Sequence, residues 1–264
     1  MSPALDAAGI ADHAAQLYRA LRQGQPLEPL SERVPELRLE DAYAISSALL
    51  ELRMADGERV VGKKIGATSM AVQRMLKVDQ PDFGFLTDRM EIANGGTLSL
   101  DGLLLPRAEG EIAFHLKHDL RGPGITHHDV LAATEALSAC FEIVDSRIRD
   151  WRIGITDTVA DNASAAAFVL GERRVPPRGL DLGTLGMVVE KNGEVVATGA
   201  GAAALGSPVN CVAWLANTLG RLGTSLKAGE VILSGALVPL VPVLRGDHMR
   251  VRIGSLGSAE VHFA

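Results

Sequence analysis

Glu109-Gly110-Glu111-Ile112-Ala113-Phe114-His115-Leu116 opens on two carboxylates and continues as an apolar run. The run predicts a β-strand, on which residues two apart point to the same side. Glu109 and Glu111 then share a face and repel each other unless a cation intervenes. A hard divalent metal suits such oxygen donors; the plainer alternative is an exposed strand face bearing two glutamates. A second stretch weighs toward the metal. Phe141-Glu142-Ile143-Val144-Asp145-Ser146-Arg147 sets a glutamate inside another apolar strand, and a buried carboxylate needs a partner. Glu109, Glu111 and Glu142 together offer one face of an octahedral site, leaving positions for water and substrate. Such a site keeps a net negative charge, so a neighbouring cation would help an anionic substrate bind. Asp145 falls on the other strand face from Glu142 and is expected to pair structurally with Arg147.

The candidate cation is a lysine. Lys63 and Lys64 lie side by side in Arg59-Val60-Val61-Gly62-Lys63-Lys64-Ile65-Gly66, a short predicted strand ending in glycine. Only one can face inward. Lys64 adjoins the turn expected at Gly66 and is the choice, as a cation near the metal or a proton carrier. The alternative is that both lysines run their stems out to solvent. Asp82 sits in Gln80-Pro81-Asp82-Phe83-Gly84, expected to be a loop with a turn; it is either a proton-transfer carboxylate or an Asx-turn residue. His115, four after Glu111, shares its face and is a candidate fourth ligand, although hard metals favour oxygen. His127 and His128 fall in a predicted first helical turn, and the other histidines carry no motif. Gly-x-Ser-x-Gly, Gly-x-Gly-x-x-Gly and the P-loop are absent, which argues against serine hydrolase, nicotinamide and nucleotide chemistry.

Upstream of these stretches the pattern is helical. Ile10, Ala14, Leu17, Tyr18 and Leu21 mark one face, stopped at Gly24, and a second helix over about 40–57 buries Ala42, Ile45, Leu49 and Leu52. Thr68 or Ser69 caps a short helix through Leu76. Downstream, Thr126-His127-His128-Asp129 resembles a capping box for a helix to about Ser138. Asn192-Gly193 marks a hairpin, Ser207-Pro208 starts a helix through Leu219, and two strands flank a turn at 255–257. The fold class is α+β, with a mainly helical N-terminal part, 1–80, and a β-rich, metal-binding catalytic domain, 81–264; the boundary is soft, at roughly 75–100.

Composition agrees with a folded globular protein. Of 264 residues, 47% are apolar and 22% charged, the balance of a globular chain. Only two cysteines occur, Cys140 and Cys211, without metal or disulfide-framework spacing; this suggests a cytoplasmic, reducing setting. No run of ~18 apolar residues predicts a membrane span, and Met1-Ser2-Pro3-Ala4-Leu5-Asp6 lacks a secretory pattern. A net charge of −6 and 4% aromatic content disfavour nucleic acid and anionic membranes as partners.

Several long stretches carry a resemblance: Gly62-Lys63-Lys64-Ile65-Gly66-Ala67-Thr68-Ser69, Gln80 to Asp88, Pro106 to Phe114, Cys140 to Ile148, Asp157-Thr158-Val159-Ala160-Asp161-Asn162-Ala163-Ser164, and Gly199 to Asn217. With them the sequence closely resembles the 2-hydroxypenta-2,4-dienoate (2-oxopent-4-enoate) hydratases of aromatic meta-cleavage pathways. These group with the oxalocrotonate decarboxylases and, more remotely, with the fumarylacetoacetate hydrolase fold. The resemblance implies Mg²⁺ or Mn²⁺ on Glu109, Glu111 and Glu142, and roles for Lys64 and Asp82 around a small 2-hydroxydienoate. It implies Ser164 as a polar contact near the substrate, the alternative being a capping or core hydroxyl. It further implies a homo-oligomer, with other enzymes of the pathway as possible partners. Decarboxylation of 2-oxo-3-hexenedioate is the alternative reaction; the double lysine and the Gln-Pro-Asp-Phe-Gly run favour hydration. Acylpyruvate C–C hydrolysis is less favoured, because no histidine lies between Leu21 and His115 to serve as its base. A non-catalytic role as a decarboxylase's partner subunit sits poorly with intact acidic and basic sites.

Overall fold

The computed structural model describes residues 5–76 and 78–264; the first four residues, part of the leader expectation, lie outside them. Asp6 caps α1 (Ala7–Gln23) by accepting from Gly9 N at 2.8 Å, and Gly24 closes it at φ 62°. The short α2 (Leu30–Arg33) and then α3 (Leu39–Ala55) follow. The remaining helices are α4 (Met70–Leu76), α5 (His127–Ala133), α6 (Ile155–Ala160) and α7 (Pro208–Arg221). Ala14 and Leu17 of α1, Ile45 and Leu49 of α3, and Val159 and Ala160 of α6 bury one another in a helical core. Among the described residues no helix is long and apolar enough to cross a membrane.

Two sheets form the rest. The larger holds β1 (Val60–Gly66), β2 (Asp82–Thr87), β3 (Glu91–Ile92), β5 (Arg107–Leu116), β6 (Thr134–Val144), β7 (Ala165–Leu170) and β10 (Val231–Leu233), in the order β2-β1-β10-β5-β6-β7-β3. β11 (Val241–Pro242) adds to β5. The smaller sheet runs β4-β13-β12-β8-β9, from β4 (Thr97–Leu98), β8 (Gly186–Lys191), β9 (Glu194–Ala200), β12 (His248–Ile253) and β13 (Gly257–Phe263). The β1–β10, β3–β7 and β4–β13 pairings are parallel and the others antiparallel. This is the α+β arrangement expected.

Alternation along β5 and β6 decides where chemistry can sit. Ile112, Phe114, Phe141 and Ile143 join a buried core with Met187, Val189, Met249 and Val251 of the second sheet and Val212 and Leu215 of α7. Glu142 between Phe141 and Ile143, and Glu109 and Glu111 at odd spacing from Ile112, therefore emerge on the opposite face.

Two local expectations are corrected. The capping box at Thr126 and Asp129 is present, but α5 ends at Ala133 and not near Ser138. Residues 134–138 instead extend β6 along β5, with Ser138 opposite Ala113. Gln80-Pro81-Asp82-Phe83-Gly84 is not all loop: Asp82 begins β2, opposite Gly66 of β1.

Candidate active site

In the β5–β6 ladder Glu109 lies directly opposite Glu142, and Glu111 opposite Cys140. Like charges directly opposite are destabilising on their own, yet one oxygen from each of Glu109, Glu111 and Glu142 falls within 4.8 Å of the others. Glu111 and Glu142 are fully buried and Glu109 half-buried. Glu111 Oε2 accepts from Gly235 N at 2.7 Å. Glu111 Oε1 and both Glu142 oxygens lack a hydrogen-bond partner among the described residues, the Lys64 ion pair apart. Buried carboxylates left this way are costly, and their oxygens are the donor set a hard divalent cation takes. The residues present fit such an ion.

Lys64 is the inward lysine. Its Nζ lies 3.2 Å from Glu142 Oε1 and donates to Ala163 O at 3.1 Å. Burial alone would lower this ammonium, but Glu142, then Asp82, Glu109 and Glu111, hold its pKa above the usual lysine range. Lys63 points the other way. It does not reach solvent, as the alternative had it, but is buried in an ion pair with Glu230 at 2.6 Å. Asp82 is buried, and its Oδ1 has no hydrogen-bond partner among the described residues. Burial raises its carboxyl above the ordinary value, against the pull of Lys64. Burial, then Glu142, pushes Glu109 up to about 8, while Glu111 and Glu142 are raised as well. Beside Asp82 opens a cavity of about 470 Å³, with Leu39, Tyr43, Val78, Gln80 and Ile155 among its walls. Tyr43 stacks on Phe83 with ring centroids 4.5 Å apart.

Residues 62–264 match the family model of the fumarylacetoacetate (FAA) hydrolase C-terminal domain. The chain belongs to the fumarylacetoacetate hydrolase family. Within it, a 2-hydroxyhexa-2,4-dienoate hydratase from Comamonas testosteroni is 57% identical over 94% of this chain and 95% of the relative. A 2-hydroxypent-2,4-dienoate hydratase from Pseudomonas putida is 62% identical over 79% of this chain and 94% of the relative. Among solved structures, 4-oxalocrotonate decarboxylase from Pseudomonas putida G7, complexed with magnesium and adipate, superposes with a TM-score of 0.96 at 36% identity, covering 100% of both chains. The curated relatives make this member of the family a hydratase, an enzyme of the hydro-lyase class.

The hydratase places other expected residues differently. His115 is no fourth member of the glutamate cluster: its Nε2 is 2.9 Å from Ser138 Oγ, and burial, then Arg174, lowers its pKa to about 4. Asp145 and Arg147 are structural, but their side chains do not pair. Asp145 accepts from Leu104 N and Leu105 N at 3.0 and 2.7 Å, and Arg147 Nε donates to Asp161 Oδ1 at 2.6 Å. Ser164 is buried with its Oγ 3.2 Å from Thr158 Oγ1.

The stretch ending at Ser164 carried part of the resemblance, but its backbone conformation had no signal in the sequence. Asn162, Ala163 and Ser164 all adopt left-handed backbone, at φ 54°, 49° and 56°. For residues other than glycine this costs about 1–3 kcal/mol each. Asparagine tolerates the conformation, but no local rule predicts it for the alanine that follows. Gly84 marks the contact that sustains it, since a β-carbon there would lie 2.5 Å from Asn162 O.

Proposed function

We propose that this hydratase adds water to 2-hydroxypenta-2,4-dienoate, giving 4-hydroxy-2-oxopentanoate, with Mg²⁺ or Mn²⁺ held by Glu109, Glu111 and Glu142. The observation that carries the proposal is the convergence of Lys64 and Asp82 beside the three glutamates: a β-carbon built on Gly66 would meet Asp82 Oδ1 at 2.2 Å and Lys64 Nζ at 3.3 Å. When bound, the ion supplies Lewis-acid polarisation of the substrate's 1-carboxylate and 2-oxygen.

The chain's own residues do the rest. Water adds to an enone far more readily than to a dienol. The 2-hydroxyl proton is therefore first moved to C5, giving 2-oxopent-3-enoate, and water then adds its oxygen at C4 and a proton at C3. Lys64, kept cationic by its carboxylate neighbours, stabilises negative charge on the 2-oxygen in both steps. Asp82 Oδ1, without a hydrogen-bond partner among the described residues, holds the proton between the 2-hydroxyl and C5, then takes one from water and passes it to C3. Burial raises this carboxyl toward the range where it can both give and take a proton. The substrate's tail enters the cavity beside Asp82. None of the described residues lining it is a lysine or arginine, which favours an uncharged vinyl end over a second carboxylate. We further assign the protein to the cytoplasm as a homo-oligomer; two buried free cysteines suit a reducing compartment.

The decarboxylase reaction has one observation in its favour, the structural likeness to 4-oxalocrotonate decarboxylase over the full chain. A metal site and a lysine that stabilise an enolate would serve carbon dioxide loss equally well. The purified protein with Mg²⁺ should consume the dienol absorbance of 2-hydroxypenta-2,4-dienoate and yield 4-hydroxy-2-oxopentanoate. Stoichiometric carbon dioxide from 2-oxo-3-hexenedioate, with no hydration of the pentadienoate, would reverse the assignment.

A further inference from the structure

The turn at Asn162–Ser164 is sustained from outside itself. The Asn162 side chain brackets the Phe85 backbone as a neighbouring strand would: its Oδ1 accepts from Phe85 N at 2.7 Å and its Nδ2 donates to Phe85 O at 2.9 Å. On one side, buried Arg147 holds Asp161 through Nε at 2.6 Å and its carbonyl through Nη2 at 2.6 Å. On the other, Ser164 O accepts from Asp145 N at 2.9 Å. The product of these contacts is the placement of one carbonyl. Ala163 O receives the Lys64 ammonium at 3.1 Å.

That carbonyl meets a specific need. Lysine's stem is flexible and its ammonium a point charge without fixed direction. Glu142, Asp82, Glu109 and Glu111 all attract it, so without a further constraint it would settle wherever the acids pull hardest. A neutral acceptor at 3.1 Å, with Glu142 Oε1 at 3.2 Å, gives Nζ two fixed partners.

We propose that Asn162 is a positioning residue for Lys64. By clamping Phe85 it holds the left-handed turn that presents Ala163 O to the ammonium, and so keeps the cation where the 2-oxygen of the substrate develops charge. This rests on the assignment of Lys64 to that oxygen.

A double-mutant cycle tests it, with Asn162→Gly, Lys64→Ala and the double variant compared with wild type. Glycine keeps the positive φ open and removes only the clamp. Displacement of a catalytic group by ~1 Å can cost ~10²-fold in rate; Asn162→Gly should lose roughly 10- to 100-fold in kcat, with KM, Mg²⁺ affinity by calorimetry and circular dichroism preserved. In the Lys64→Ala background the same substitution should cost nothing further, because the residue it positions is gone. An equal loss in both backgrounds would reduce the turn to a structural role and overturn the proposal, as would native kcat in Asn162→Gly. Native kcat in Lys64→Ala would instead strike the assignment of Lys64, and the positioning role with it. Should the glycine variant fail to fold, Asn162→Asp, which keeps the acceptor for Phe85 N and loses the donor, carries the same cycle with an intermediate loss expected.

Discussion

Asp82 Oδ1 occupies the space that a side chain at Gly66 would need. The two residues are paired across β1 and β2, and an added β-carbon on Gly66 would sit 2.2 Å from that oxygen. Because strand pairing fixes both backbones, Gly66→Ala must displace the Asp82 carboxylate rather than the chain. The expected result is a kcat loss of roughly 10²-fold with about 1–3 kcal/mol of destabilisation from overpacking. Steady-state kinetics and denaturant melts of the variant measure both. Unchanged kcat would mean that the placement of Asp82 is immaterial to the reaction.

The metal site is tested through Glu142, which faces Glu109 across the ladder and touches Lys64. Glu142→Gln keeps the shape and removes the charge. Calorimetric titration should show a marked loss of Mg²⁺ affinity, and turnover should fall by orders of magnitude and recover in part at high metal. Full activity in chelator-stripped Glu142→Gln would remove Glu142 from the ligand set.

The site was legible in the sequence as far as strand alternation reaches. Glu109 and Glu111 fall on one face because they are two apart, and Lys63 and Lys64 on opposite faces because they are adjacent. Which strand lies beside which is a long-range matter, so nothing local showed that Glu142 stands opposite Glu109. The same limit explains the misplaced end of α5. Glu135 to Ser138 has no strong period of its own and becomes strand only because β5 pairs with it. Around the start of β2 the proline at 81 and the glycine at 84 imitate a turn, whereas Gly84 answers to the approach of Asn162. The Lys63–Glu230 pair spans 167 positions and was equally invisible.

That pair sharpens the comparison of the two lysines. Lys64→Ala removes the ammonium beside Glu142 and is expected to lower kcat about 10²–10³-fold with the fold intact. Lys63→Ala leaves Glu230 without its 2.6 Å partner and is expected to cost stability, roughly 1–3 kcal/mol, while kcat stays near wild type. Kinetics and thermal melts run on both variants separate the effects. A large kcat loss at Lys63 with little at Lys64 would invert the assignment.

The last expectation concerns pH. Burial, then Glu142, lifts Glu109 from its ordinary 4.5 to about 8 in the folded protein. The folded metal-free state therefore binds more protons than the unfolded chain between those values, so its stability falls as pH rises through that window. Glu111 and Glu142, raised in the same direction, add to the slope. Lys64, raised above an already high value, contributes a constant amount there. A metal requires the carboxylates deprotonated, so binding must expel protons and tighten with pH. Metal-free protein should melt at progressively lower temperature as pH climbs through the interval from 4.5 to about 8, and the Mg²⁺-induced gain in Tm should grow across it. Calorimetry in two buffers of different ionisation enthalpy should register proton release on Mg²⁺ binding near neutral pH. Binding that releases no protons would show that the three glutamates are already ionised together, with Lys64 and solvent offsetting more of their repulsion than their burial suggests.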